Sequence, residues 1–157
     1  QGEGRIIQIS SILGIVCFAY RGAYNAAKFA LEALSDTMRL ELRNTNIHVS
    51  LIEPGPIISR FRANAYAAFK RHIDREHSVH REYYAHVEQR LGGEKSLPFT
   101  LPPEAVLKKA IKALEARRPK ARYAVTFPTT LFAVLRRILP VRALDSILAA
   151  VSNSGRR

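Results

Sequence analysis

The sequence predicts an α/β fold with a parallel sheet, and three stretches carry that prediction. Residues 5–10, RIIQIS, are apolar and β-branched with little alternation, the pattern of a strand covered on both faces. Residues 47–52, IHVSLI, form a second strand with apolar residues at 47, 49, 51 and 52. Between them, from Gly22 or Ala23 to about Arg43, runs a segment dense in helix formers, among them Ala26, Ala27, Ala30, Leu31, Leu34 and Leu42. A strand, a long helix and a strand in succession make a βαβ unit, which requires parallel strands and a right-handed crossover.

The first strand runs into Ser10 and Ser11, at the end of the strand where open α/β sheets build their sites. Two serines after a strand also suit a turn that hydrogen-bonds its own backbone. The loop that follows holds Gly14 and Gly22, which can bend it back toward the serines. Cys17, Phe18 and Tyr20 either pack beneath this loop or line a pocket, and its apolar character favours a carbonyl carried on an apolar body. Small residues at 23, 26, 27, 30 and 33 let the helix approach the sheet or a second helix closely. Asn44-Thr45-Asn46 ends it with residues that tolerate a left-handed cap. Glu53-Pro54-Gly55-Pro56 then stops the second strand; its prolines remove donors and its glycine permits close approach of a ligand, as a wall against a flat ring would need.

Residues 60–98 are polar, charged and rich in histidine. His72, His77, His80 and His86 lack the compact carboxylate or cysteine partners of a metal site and read as a solvated helical face. Phe61, Phe69, Ile73, Tyr83 and Tyr84 are apolar anchors able to close over an apolar substrate. Pro102-Pro103-Glu104 opens a helix expected to reach about Arg118, with proline in its first turn and glutamate at its positive end. An edge strand is expected at 122–125, then two amphipathic helices over 129–139 and 141–151, broken by Pro140. The uncharged run 123–135 contains Pro128 and falls short of the roughly 20 residues of a membrane span. Two roles stay open for this tail: lying on an anionic membrane surface with its arginines outward, or docking onto the chain's own cleft.

At 157 residues, 47% hydrophobic and 24% charged, the chain suits one domain with a modest core. The lone Cys17 argues against a disulfide framework and fits a reducing cytoplasm. The formal charge is +12, yet the basic residues are not interleaved with aromatics in a compact motif, which argues against nucleic-acid binding.

The chemistry gathers between Ser11 and Lys28. Tyr24 and Lys28 are four residues apart and project from one helix face. A free phenol titrates near about 10, and an acid/base for neutral pH needs about 7, a gap of about 4 kcal/mol. One ammonium at ~4 Å in an effective dielectric of ~20 supplies about that much. With a serine hydroxyl to hold a carbonyl oxygen, this trio suits proton transfer coupled to hydride transfer.

Ser11, Tyr24 thirteen positions on, and the Y-x-x-x-K completed by Lys28 resemble the active-site segment of the short-chain dehydrogenase/reductase family. The surrounding words agree over residues 4 to about 62: GRIIQISS, AYNAAKFALEALSDTMRLEL and IHVSLIEPGPI. They look most like the branch holding retinol dehydrogenases, hydroxysteroid dehydrogenases and bacterial aldehyde reductases. The resemblance implies the carboxyl-terminal part of a doubly wound, Rossmann-like fold: a catalytic and nicotinamide-side core over 1–59, a helical substrate flap over 60–100, a late helix and edge strand over 101–126, and a tail over 127–157. It further implies NADP, with NAD as the alternative, and the roles of the residues. Tyr24 would be the general acid or base, Lys28 would tune it and hold the nicotinamide ribose, and Ser11 would orient the substrate oxygen. Pro54 and Gly55 would flank the nicotinamide, and the Ile57 backbone would meet its carboxamide. Ser59 stands where the family usually has threonine, though it could equally cap the next helix. The helix over 23–43 would form a subunit interface of a homo-oligomer. The family's glycine-rich T-G-x-x-x-G-x-G turn and N-N-A-G segment are not in this sequence, which opens at Gln1 and has its only methionine at Met38. The expectation is the second half of a longer protein. The other function class open to it is a noncatalytic module used in assembly or at a membrane surface.

Overall fold

The computed structural model describes residues 2–93 and 97–153. Three parallel strands form the sheet in the order β1 (Glu3–Ile9), β2 (Asn46–Glu53), β3 (Arg122–Ala124). β1 and β2 pair in continuous register from Glu3 opposite Asn46 to Ile9 opposite Ile52, and the last three residues of β2 pair with β3. The long helix α1 (Gly22–Glu41) is the crossover between β1 and β2. Helices α2 (Phe61–His72) and α3 (Arg81–Gly92) follow β2, α4 (Glu104–Glu115) precedes β3, and α5 (Phe127–Ile138) and α6 (Val141–Asn153) close the chain. The arrangement is a partial Rossmann-like α/β fold, and its β1–α1–β2 portion is the parallel βαβ unit that the two apolar runs and the helix between them predict.

Two apolar clusters hold it together. Against one part of the sheet, Ile52 and Tyr123 pack with Ala113 of α4, joined by Ile7, Val106 and Ala110. In the other, the residues after β1 (Ile12, Leu13, Ile15 and Val16) pack with Phe132 of α5 and Leu148 of α6. Glu53, one residue beyond Ile52, turns to the opposite face of the sheet as strand alternation demands, and there it interacts with Glu32 of α1.

Several boundaries differ from the sequence expectation. α1 ends at Glu41 instead of Arg43, capped where the Leu42 N–H donates to Met38 and Leu40. Leu42 has φ −89° and ψ 5°, so this cap is not left-handed and the asparagines are not needed for one. α4 ends three residues earlier than expected; Ala116 is already extended, and Arg118 precedes Pro119, which disfavours helix. The tail helices form as expected, with α5 starting at Phe127. Their inner faces are docked on the chain itself, and Arg136 points inward: it donates to the Ile15 carbonyl and lies 5.0 Å over the Phe29 ring. Phe127, Val134, Ile138 and Val141 remain exposed. Among the described residues, no helix is long and apolar enough to cross a membrane.

Candidate active site

The site is built where β1 and β2 end. The Ser10 N–H donates to the Ile52 carbonyl and the Ile12 N–H to the Pro54 carbonyl, both at 2.8 Å, so the chain after β1 is fastened to the chain after β2. Ser11 sits between these two ties, 8% exposed. Its Oγ accepts from the Leu13 N–H at 3.1 Å and caps a single 3-10 turn, Ile12–Gly14. The turn-forming reading of the serine therefore holds, and it leaves the hydroxyl proton free to be donated elsewhere.

α1 supplies the other two groups. Lys28 Nζ donates to the Ile9 carbonyl at 2.9 Å, which pins the ammonium to the end of β1. The same Nζ lies 5.7 Å from the centroid of the Tyr24 ring, one turn back along the helix. Tyr24 is half-buried, packing against the cluster formed by Ile12, Leu13 and their neighbours and, on its other side, against Phe61 at 5.4 Å. Ser11, Tyr24 and Lys28 are thus all anchored to the same few residues at the end of β1.

The bend that makes this possible is not where the glycines suggested. Neither Gly14 nor Gly22 has a positive φ; Tyr20 does, at 61°. Gly14 is needed for another reason: a Cβ there would lie 2.8 Å from Ser10 Oγ and 3.1 Å from the Lys28 carbonyl, so only glycine lets the turn press against α1. Of the loop's side chains, Phe18 packs edge-on against Phe132 at 6.2 Å, Cys17 is exposed, and Tyr20 stacks on Tyr83 of α3 at 3.4 Å.

Among the residues expected at a nicotinamide, Ile57 has a fitting geometry. It bridges Leu101 in parallel fashion through its neighbours: Ile58 N–H donates to Leu101 and Leu101 N–H to Pro56. In that pattern the peptide groups of Ile57 itself face the other way, and they have no partner among the described residues. Two free backbone groups side by side match the donor and acceptor of a carboxamide. At Gly55 a Cβ would fall 2.1 Å from Thr126 Oγ1 and 2.9 Å from Thr129 Oγ1, so this glycine makes room for the start of α5. Pro54 contributes its carbonyl to Ile12. Ser59 is exposed and its Oγ accepts from the Phe61 N–H at 3.3 Å, which serves the start of α2.

Sequence reasoning missed three contributors. Asn25, 7% exposed, donates to the Phe18 carbonyl at 3.0 Å and holds the loop against α1, while its Oδ1 has no partner. Arg136 ties α5 to the loop. Arg122 of β3 reaches Glu32 (3.2 Å) and Asp36 (2.7 Å) of α1 and Glu53 (3.2 Å) of β2. Burial, reinforced by the Glu32 carboxylate, pushes Glu53 up to about 7 despite Arg122. Asp36 moves the other way: burial would raise it, but hydrogen bonds from Arg122 and Arg39 hold it below the usual carboxylate value. Glu32 and Asp36, four apart on one helix, were the visible signal. Of the four flap histidines, His77 is an exposed partner of Asp74 at 2.8 Å and His80 packs on the Tyr20 and Tyr84 rings.

Residues 1–69 match the family model described as short chain dehydrogenase. Over 147 residues, 94% of this chain and 49% of the other, the sequence is 44% identical to a protein named uncharacterized oxidoreductase YbbO from Escherichia coli (strain K12). It is 34% identical over 145 residues to the NADPH-dependent 3-dehydrocapnine reductase of Ornithobacterium rhinotracheale, covering 92% of this chain and 50% of that one. A short chain dehydrogenase/reductase from Burkholderia phymatum, solved in complex with NAD, superposes with a TM-score of 0.61 at 20% identity over 87% of this chain and 46% of that one. The chain thus spans about half the length of the curated relatives it matches. With the family match over the strand–turn–helix that carries Ser11, Tyr24 and Lys28, and relatives aligned along nearly its whole length, the chain belongs to the short-chain dehydrogenase/reductase family.

Proposed function

We propose that this chain supplies the catalytic side of an NAD(P)-dependent oxidoreductase interconverting a carbonyl and an alcohol on an apolar substrate such as an aldehyde, retinoid or steroid-like ketone. The observation that carries the reading is the pinning of Lys28 to the Ile9 carbonyl, which sets its ammonium beside the Tyr24 ring at the strand end that also holds Ser11. The dinucleotide, when bound, supplies or takes the hydride at the substrate carbon. Tyr24 Oη gives a proton to the substrate oxygen in reduction and removes it in oxidation. Ser11 donates its hydroxyl proton to the same oxygen, its geometry fixed by the Leu13 N–H it already accepts. Lys28, its ammonium beside the phenol ring, would hold the ribose, and the free backbone of Ile57 would take the carboxamide. Phe18, Phe61 and Tyr20 offer the apolar walls.

NADP is the proposed cofactor, with NAD as the alternative; the name of the Ornithobacterium relative supports the former. Exposed Leu34 and Leu40 on α1 support a homo-oligomer through that helix. The free Cys17 supports a cytoplasmic site, and the exposed apolar residues of α5 support contact with a membrane surface. The deciding experiment is Tyr24→Phe in the native protein, assayed with NADPH against long-chain aldehydes and ketones. Turnover should fall by about 100-fold or more with the fold intact; undiminished turnover ends the proposal.

A further inference from the structure

We infer that Arg122 is a positioning residue for the site: its guanidinium clamps α1 to β2 and β3 and so fixes where Lys28 and Tyr24 stand relative to Ser11. The inference rests on the carbonyl–alcohol reading of the site and adds the residue that holds its geometry from outside.

Tyr24, Lys28, Glu32 and Asp36 follow one another at four-residue intervals on α1, so they share one face over successive turns. The last three are tied to strands. Lys28 Nζ donates to the Ile9 carbonyl of β1 at 2.9 Å. Arg122 of β3 donates from Nε to Glu32 Oε2 at 3.2 Å and from Nη2 to Asp36 Oδ2 at 2.7 Å. The same Nε lies 3.2 Å from Glu53 Oε1, at the end of β2. One guanidinium thus joins α1 to β2 and β3, one turn beyond the lysine that joins it to β1. Among the described residues, no other hydrogen bond runs from α1 to the strands.

Apolar packing does not fix α1 along the sheet in the same way. Its fully buried residues are Asn25, Glu32 and Ser35, so no leucine or phenylalanine of the helix is wholly enclosed. Apolar contact is non-directional, whereas a planar guanidinium bonded to two carboxylates one turn apart admits a narrow range of placements. The clamp also reaches the site. Glu32 lies against the turn after Ser11, where a Cβ at Gly14 would fall 3.0 Å from its Cγ. Glu53 immediately precedes Pro54, whose carbonyl accepts from the Ile12 N–H. Glu32 and Glu53 are 8% and 2% exposed, so separating them from Arg122 leaves carboxylates unpaired out of water. α1 cannot slide without that loss, and Lys28 and Tyr24, on the same face, stay where the clamp holds them.

The test acetylates lysines of the native protein with an N-hydroxysuccinimide ester, without cofactor, and reads each site by mass spectrometry. In Arg122→Gln, Lys28 should react about fivefold faster, the equivalent of one hydrogen bond, while half-buried Lys109 of α4 keeps its rate. With NADPH and a long-chain aldehyde, kcat should fall about tenfold and KM for the aldehyde should stay within about twofold, since placement is felt in the transition state. Arg122→Gln/Glu32→Gln/Glu53→Gln removes the buried charges that the single change leaves unpaired, so it recovers stability without recovering the clamp. It should show both effects, and if the single variant does not fold it decides alone. An unchanged Lys28 rate, a rise shared by Lys109, a loss confined to KM, or a triple variant with the kcat of the unsubstituted protein overturns the inference. Labelling is read without turnover, so Tyr24→Phe can end the carbonyl–alcohol reading while the clamp is judged separately.

Discussion

The end of the sheet and the two helices α2 and α3 that pack beside it are built on opposite principles. From Val49 to Glu53 every residue of β2 is buried, and the chain after β1 is fastened to it by backbone hydrogen bonds and pressed against α1 through Gly14. No residue of α2 or α3 is buried, and these helices meet the site through aromatic rings: Tyr24 on Phe61, Tyr20 on Tyr83 and His80. The candidate site is placed on backbone geometry that a point change disturbs, whereas α2 and α3 rest on it through side chains that can be exchanged without unfolding the sheet.

Substitutions can break that comparison, and the largest effect is expected on the sheet side. Gly55→Ala drives a methyl group into Thr126 and Thr129 and should cost about 1–3 kcal/mol, read as a lowered denaturation midpoint. An unchanged midpoint would mean the start of α5 yields freely and the site is less rigid than described. Next comes a pH effect. Glu53, raised to about 7 from the ordinary 4.5, binds its proton more tightly folded than unfolded. Its contribution to stability is therefore fully present below about 4.5 and is lost as pH rises through 7. The lowered Asp36 acts in the other sense and at lower pH, since its contribution is lost only as pH falls through its own acidic range. Denaturation midpoints of the native protein should fall across that window, and Glu53→Gln should flatten the curve; an equally steep curve in the variant would remove Glu53 as the cause. The smallest effect belongs to the flap. Tyr83→Ala should cost under about 1 kcal/mol of stability, the scale of one aromatic pair, while raising KM for an apolar carbonyl. A cooperative loss of several kcal/mol would show that the flap is part of the core after all.

What could be read from the sequence was what depends on period and short spacing. The βαβ unit, the strand-end position of Ser11, the shared face of Tyr24 and Lys28 and the break at Pro140 all follow from residues within a turn or a few turns of each other. What could not be read depends on contacts across the chain. Glu53 meets Glu32 and Arg122, and Arg122 lies 90 residues from Glu32. Gly55 is small because of Thr126, and Arg136 turns inward because Ile15 offers a carbonyl there. The loop bend was assigned to glycines because they adopt left-handed geometry most easily, yet Tyr20 adopts it, where its ring gains the stack on Tyr83.

Counting hydrogens on Lys28 gives a last constraint. An ammonium has three and accepts none. One is engaged by the Ile9 carbonyl, leaving two. The role proposed for this residue calls for two acceptors, the phenol oxygen and a ribose hydroxyl, so the count closes with none left for water. An arginine at this position would keep the charge but carry its donors in a fixed plane, unable to point at a strand carbonyl, a phenol and a sugar in three directions. The strand end thus selects not a positive charge as such but a tetrahedral one.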